Sequence, residues 1–323
     1  MKSKLDRWRL ALLYGVALAS VGMASCGGGE QVQKFAPNRV IAFGDETSVI
    51  DDFKGDANGR KYTVNATVSA TDATLACRIN PIWVQVLARA YGLVFPQCNP
   101  PPNAVVAPVS RIRATAGARV ADIAAQIDAQ IAESAFTPKD LVTVLVGQND
   151  VLAQYAQYPG VGEPQLIANI EAAGVALGNQ VNRIADSSAK VLISTAPDVG
   201  LTPFAVAEKA AHTDIDRAGL LTRLTARLNA SMRATIQNDG RKIGLILTDE
   251  YIHAVVRVAG GGGFTNVVTA VCVSPSALDC TTLTLIAGGS GTAYLWADTT
   301  HLSSGGHAQL GSLALTRATN NPF

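Results

Sequence analysis

Charge is scarce in this chain: Asp, Glu, Lys and Arg make up 16% of its 323 residues, against about 25% in soluble proteins generally. The 26 basic residues exceed the 25 acidic ones by a single charge. That leaves no basic footprint for a nucleic-acid backbone and excludes nucleic acid as a partner. Aromatic residues are sparse as well, at 6%, so the core has to come from Ala, Val, Leu and Ile within an apolar fraction of 48%. So large an apolar fraction excludes a disordered chain. Also missing are a Gly-x-Ser-x-Gly elbow, a Gly-x-Gly-x-x-Gly turn after the first apolar run, a His-Glu-x-x-His pair and any Cys-x-x-Cys spacing. Their absence argues against the larger α/β-hydrolases, a dinucleotide site and zinc. No cofactor and no metal is implied. The Gly260 to Gly263 run lacks the Lys-Ser/Thr of a phosphate loop and reads as a surface loop.

What is present begins with a leader. Lys2, Lys4, Arg7 and Arg9 precede an uncharged run of 16 residues from Leu10 to Ser25. This is the pattern of a secretory signal, and it is shorter than the roughly 20 residues that span a bilayer as a helix. The run ends in Met23-Ala24-Ser25-Cys26, which resembles a bacterial lipobox. The resemblance implies cleavage before Cys26, lipidation of Cys26 and a membrane anchor in the bacterial envelope. With Gly27 and not Asp after the cysteine, it favours the outer membrane. Residues 26–38, opening with Gly27, Gly28 and Gly29, read as a flexible tether. Without residues 1–25 the chain carries 22 basic and 24 acidic residues, a net −2. In an oxidising compartment the four remaining cysteines should pair. Three pairings are open, and closeness favours Cys77 with Cys98 and Cys272 with Cys280.

From Arg39 to the end the chain reads as one domain, residues 39–323, in which short apolar runs alternate with amphipathic stretches. Arg39–Phe43, Ala104–Val109, Leu141–Val146, Val191–Ser194 and Ile243–Leu247 read as buried strands, and Tyr294–Trp296 as a short one. Helical stripes run through Ile82, Trp83, Val86, Leu87 and Ala90, through Val120, Ile123, Ala124, Ile127 and Ile131, and from Ile215 through Leu220, Leu221, Leu224 and Leu228 to Met232. The alternation predicts a three-layer α/β/α fold around a doubly wound parallel sheet. Ligands in such sheets sit at the carboxyl ends of the strands, which directs attention to four segments. These are Phe43-Gly44-Asp45-Glu46, Ala116-Gly117-Ala118, Gly147-Gln148-Asn149-Asp150 and Asp298-Thr299-Thr300-His301.

In this order the four segments resemble the sequence blocks of the SGNH or GDSL ester hydrolases, whose fold is flavodoxin-like. Trp83–Leu93 is similar to the helix after that family's first block, and Ala196-Pro197-Asp198-Val199-Gly200 to its later turn. The resemblance implies hydrolysis of carboxylic esters of lipids or acylated sugars, a small-molecule ester or acylated glycan being the partner. His301 would be the base and Asp298 would orient it. The N–H of Gly117 and the amide of Asn149 would be the oxyanion donors. Acyl transfer needs these parts together with a nucleophile.

The nucleophile position departs from the family, because Glu46 stands where Ser is expected. Attack by a carboxylate on an ester would create a reactive mixed anhydride. Thr47 and Ser48 do not substitute if a helical turn starts here, since each is rotated by about 100° and 200° from position 46. Three arrangements follow. Glu46 can pair with a protonated His301 and fill the oxyanion donors with its own oxygens; Glu46 or His301 can act as base on water; or the domain is a binding module without chemistry. Substrate choice falls to the loops Lys54–Asn80, Gln154–Glu163 and Gly260–Gly291.

Overall fold

The structure, a computed structural model, describes residues 34–258 and 260–323. The leader of residues 1–25, Cys26 and the tether to residue 33 lie outside the described residues. Strands β1 (Arg39–Gly44), β4 (Arg111–Ile112), β5 (Asp140–Leu145), β6 (Lys190–Ser194) and β7 (Ile243–Ile246) form a parallel sheet in the order β4-β1-β5-β6-β7. Numbered within the sheet this is 2-1-3-4-5, the flavodoxin-like winding with its switch point between the first and third strands. Here those are β1 and β5. Their residues are nearly all buried and apolar, as a sheet covered on both faces requires.

Alternation along each strand sorts the core into two layers. Ile41, Phe43, Val142, Val144, Val191 and Ile193 point to one side. There they meet α2 (Ile123–Glu133), α3 (Gln148–Tyr155), α4 (Glu163–Asp186) and α6 (Arg217–Thr235). Val40, Ala42, Leu141, Leu145 and Leu192 point to the other, toward α1 (Trp83–Ala90), α7 (Thr248–Arg257) and α8 (Ser304–Asn320). Helix α5 (Pro203–Ala211) lies between β6 and α6 in sequence. Two excursions decorate this frame. One carries the hairpin β2 (Ile50–Asp51) and β3 (Arg60–Lys61), and the other the parallel pair β8 (Asn266–Ala270) and β9 (Tyr294–Trp296). Cys77, after β3, bonds Cys98 beyond α1, and Cys272 bonds Cys280 between β8 and β9, the pairings that closeness favoured.

Three expectations need correction. Ala104–Val109 is not a strand: Val105, Val106 and Val109 are 45%, 92% and 47% exposed. The Asn99 side chain holds both the N–H and the C=O of Val105 at 2.8 Å, closing a loop where a ladder was expected. The edge strand is the two-residue β4, paired through Arg111 and Ile112 to Ile41 and Ala42. Ile131, assigned to a buried stripe, is 44% exposed, and Gln130 is buried in its place. Gln130 is satisfied there by Arg113 Nε, Ser134 O and Ser134 Oγ. On α1, Val84 and Ala88 are buried while Ala90 is exposed. The 24-residue helix α4 has no counterpart among the expected stripes. Its buried positions include Gly174 and Gly178, which let α6 approach closely but dilute the apolar pattern.

Candidate active site

Three of the four motif segments leave β1, β4 and β5 at their carboxyl ends, around the switch point. Beyond β1 the chain turns at Gly44 (φ +132), where a Cβ would lie 1.8 Å from Leu145 O. Only glycine fits there. Gln126 clamps the same residue, accepting from Gly44 N–H at 2.8 Å and donating to Gly44 O at 2.9 Å. A 3₁₀ turn, Glu46–Ser48, follows, capped by Asp45, whose Oδ1 accepts from Thr47 N–H at 3.0 Å. The turn therefore starts at Glu46. Ser48 is fully buried and its Oγ accepts from Trp83 Nε1 at 3.1 Å, so that hydroxyl is already engaged.

Gly117 sits in a tight turn with φ +76 after β4. Asn149 opens α3 as its second residue, and the next residue, Asp150, accepts from Val120 N–H at 3.0 Å. That bond ties the third segment to the second. Asp298 follows β9 and is nearly fully buried. Its oxygens accept from the N–H groups of Ala277, Thr300 and His301 at 2.8–2.9 Å and meet His301 Nδ1 at 2.7 and 2.9 Å.

Glu46 joins the pieces. Its Oε2 accepts from Gly117 N–H at 2.8 Å and from Asn149 Nδ2 at 3.0 Å. Its Oε1 lies 3.1 Å from Asn149 Nδ2 and 3.4 Å from His301 Nε2. All five sequence-selected residues (Glu46, Gly117, Asn149, Asp298 and His301) thus meet around one carboxylate. Two neighbours carry no sequence mark. Tyr62, just after β3, sets its ring 5.5 Å from the His301 ring, tilted by 42°, and Ala277 N–H holds Asp298. Both arrive from the excursions, and no spacing rule connects them to the motif segments. Beside Tyr62 an open cleft of about 680 Å³ runs past Val49, Phe53 and Ala116.

The charges are coupled. Burial disfavours a charged imidazole, but the hydrogen bonds and charges of Asp298 and Glu46 outweigh it and push His301 up to about 10. Burial likewise works against Glu46 and Asp298, yet their bonds to His301 and to backbone N–H groups hold both below the usual carboxylate range. Asp45 goes the other way: complete burial, then the adjacent Glu46 charge, raise it to about 8. Near neutral pH the cluster therefore holds an imidazolium between two carboxylates, with a neutral acid beside them.

No curated protein matches the chain by sequence. Solved structures that resemble it include the acetyl xylan esterase AlAXEase (12% identity, 86% of this chain and 98% of that one, TM-score 0.43). Others are Axe2, an acetylxylan esterase from Geobacillus stearothermophilus (14%, 88% and 96%, 0.45), and a member of the lipolytic G-D-S-L family from Veillonella parvula (11%, 87% and 95%, 0.40). The model of the GDSL-like lipase/acylhydrolase family matches residues 48–314, starting two residues after Glu46. With most of its length matched in this way, the chain belongs to the GDSL-like lipase/acylhydrolase family.

Proposed function

We propose that this chain is a bacterial envelope lipoprotein carrying an ester-hydrolase domain whose reactive centre is filled by its own Glu46, so that carboxylic esters of lipids or acylated sugars turn over only weakly. The observation that carries the reading is the seating of Glu46 Oε2 on Gly117 N–H and Asn149 Nδ2. In this family's chemistry those are the two donors that would stabilise the negative oxygen of a tetrahedral intermediate. A bound ester carbonyl would have to displace a carboxylate that already takes both.

Two further features point the same way. Among the described residues the group within hydrogen-bond reach of His301 Nε2 is Glu46 Oε1 and not a hydroxyl. The imidazole, pushed up to about 10, is protonated at neutral pH and so cannot take a proton from a nucleophile. The route left open is attack by water after Glu46 swings off the donors, with His301 or the freed carboxylate as base. Delivery by residues 1–25, lipidation at Cys26 and an outer-membrane position complete the proposal for the domain of residues 39–323. The same seating of Glu46 favours, as a second reading, a binding module with no turnover.

The test is hydrolysis of short-chain aryl esters and acetylated sugars by the parent, Glu46→Ser and Glu46→Ser/His301→Ala. Glu46→Ser is expected to raise turnover at least 10-fold, and His301→Ala to abolish the gain. A folded Glu46→Ser with no gain overturns the self-filled site. No turnover by the parent or by a folded Glu46→Ser selects the binding module. Membrane fractionation of Cys26→Ser checks the anchor, with release into the soluble fraction expected.

A further inference from the structure

A second pocket, of about 270 Å³, opens between α1 and residues 93–98 and shares no residue with the Glu46 centre. Leu93, Val94 and Phe95 line it together with Arg78 and Arg89. Both guanidinium groups bond only neutral oxygens. Arg78 Nη2 donates to Pro100 O at 2.9 Å and Asn103 O at 2.7 Å, and Arg89 Nη2 donates to the carbonyl of Arg78 itself. A buried amine stands behind them: Lys61 Nζ donates to the carbonyls of Cys77, Ile79 and Asn80 at 2.8–2.9 Å, and burial, then the Arg89 charge, push it down to about 7. Among the described residues no carboxylate pairs with any of the three. The crowding shows in Arg89, which burial and then the Arg78 charge hold below the usual arginine range.

Like charges gathered without a counter-ion are unfavourable, and buried ones are normally paired. A guanidinium fork matches a carboxylate in two parallel hydrogen bonds, and each arginine has N–H groups beyond the Nη2 already in use. The apolar side chains of Leu93, Val94 and Phe95 in the same lining add the other half of the recognition. We propose that this pocket binds a medium-chain alkyl carboxylate, its head group between Arg78 and Arg89 and its chain against Leu93, Val94 and Phe95. The volume lies just under the roughly 300–1,000 Å³ of drug-sized sites. The inference is independent of what Glu46 does.

The test is calorimetric titration of the full chain with octanoate, 1-octanol, acetate and inorganic phosphate. Octanoate is expected to bind at least 10-fold more tightly than any of the other three. Arg89→Gln should weaken it at least 10-fold, Arg89→Lys by less, and His301→Ala not at all. Octanol binding as tightly as octanoate would reduce the site to an apolar crevice, and phosphate binding as tightly would reduce it to a bare anion site; either overturns the proposal. So does octanoate affinity that survives Arg89→Gln or falls with His301→Ala. Should Arg89→Gln melt at a lower temperature than the parent, Val94→Asp, which places a carboxylate at the wall, must produce the same loss.

Discussion

The protonation of His301 can be tested without any substrate. In the parent its imidazole is pushed up from an ordinary 6.5 to about 10, so at pH 7 only about one molecule in a thousand holds it neutral. Glu46→Gln removes one of the two charges responsible while keeping the side chain's length. The amide oxygen can still accept from Gly117 N–H and Asn149 Nδ2, and its NH₂ then faces Nε2 and favours the neutral ring. At the 3.4 Å separation of Glu46 Oε1 and His301 Nε2, Coulomb's law with an effective dielectric of about 20 gives an upper bound near 5 kcal/mol. Neighbouring opposite charges in proteins move a pKa by roughly 1 to 3 pH units, or about 1.4 to 4 kcal/mol. The His301 midpoint should fall by that amount, with the Asp298 contact at 2.7 Å keeping it above 6.5. Imidazole ¹⁵N spectra between pH 5 and 11 read it directly, His301→Gln assigning the signal among the four histidines. A parent midpoint near 6.5, or one that Glu46→Gln leaves in place, refutes the coupled cluster. The linkage has a definite sign. Since the folded-state value is raised, the stabilisation is complete below about 6.5 and is lost as pH rises through about 10.

Other outcomes follow from the same structure. Asp298→Asn strips a buried carboxylate that four donors address; it should cost about 2 kcal/mol at pH 7 in urea unfolding. Because the Asp298 pKa is lowered, that difference should vanish as pH falls through its folded-state value. Replacing Cys77 and Cys98 with Ala opens a loop with a sequence separation of 21, and the unfolded chain should gain entropy worth about 3 kcal/mol, read as a shift of the urea midpoint. Gly174→Ala improves helix propensity by about 1 kcal/mol, but its Cβ would sit 2.5 Å from Leu228 O and 2.7 Å from Ser231 Cβ. Overpacking against backbone costs about 1–3 kcal/mol, so a lower melting temperature is expected, and a higher one would show that α4 can shift.

How much was legible depended on how local the cause was. The strands β1, β5, β6 and β7 announce themselves because a strand buried on both faces is a continuous apolar run, as in Val40-Ile41-Ala42-Phe43. Ala104–Val109 has the same composition and is a loop, because the Asn99 side chain and not a neighbouring strand takes the polar groups of Val105. Helix α4 is hidden for the opposite reason. Its interface with α6 is built partly from glycines, which carry no apolar signal.

By itself the sequence determined the central strands β1, β5, β6 and β7, the family resemblance and the choice of five residues to follow, since each is a matter of residue type and position along the chain. Only the tertiary structure decided where those five residues lie relative to one another. The distances that place Glu46 on Gly117 and Asn149, and the bonds from Asp298 and Glu46 that raise the His301 pKa against its burial, join segments up to 255 residues apart. Tyr62, Ala277 and the arginine pocket were likewise invisible, because charge crowding and ring stacking are properties of neighbours in space.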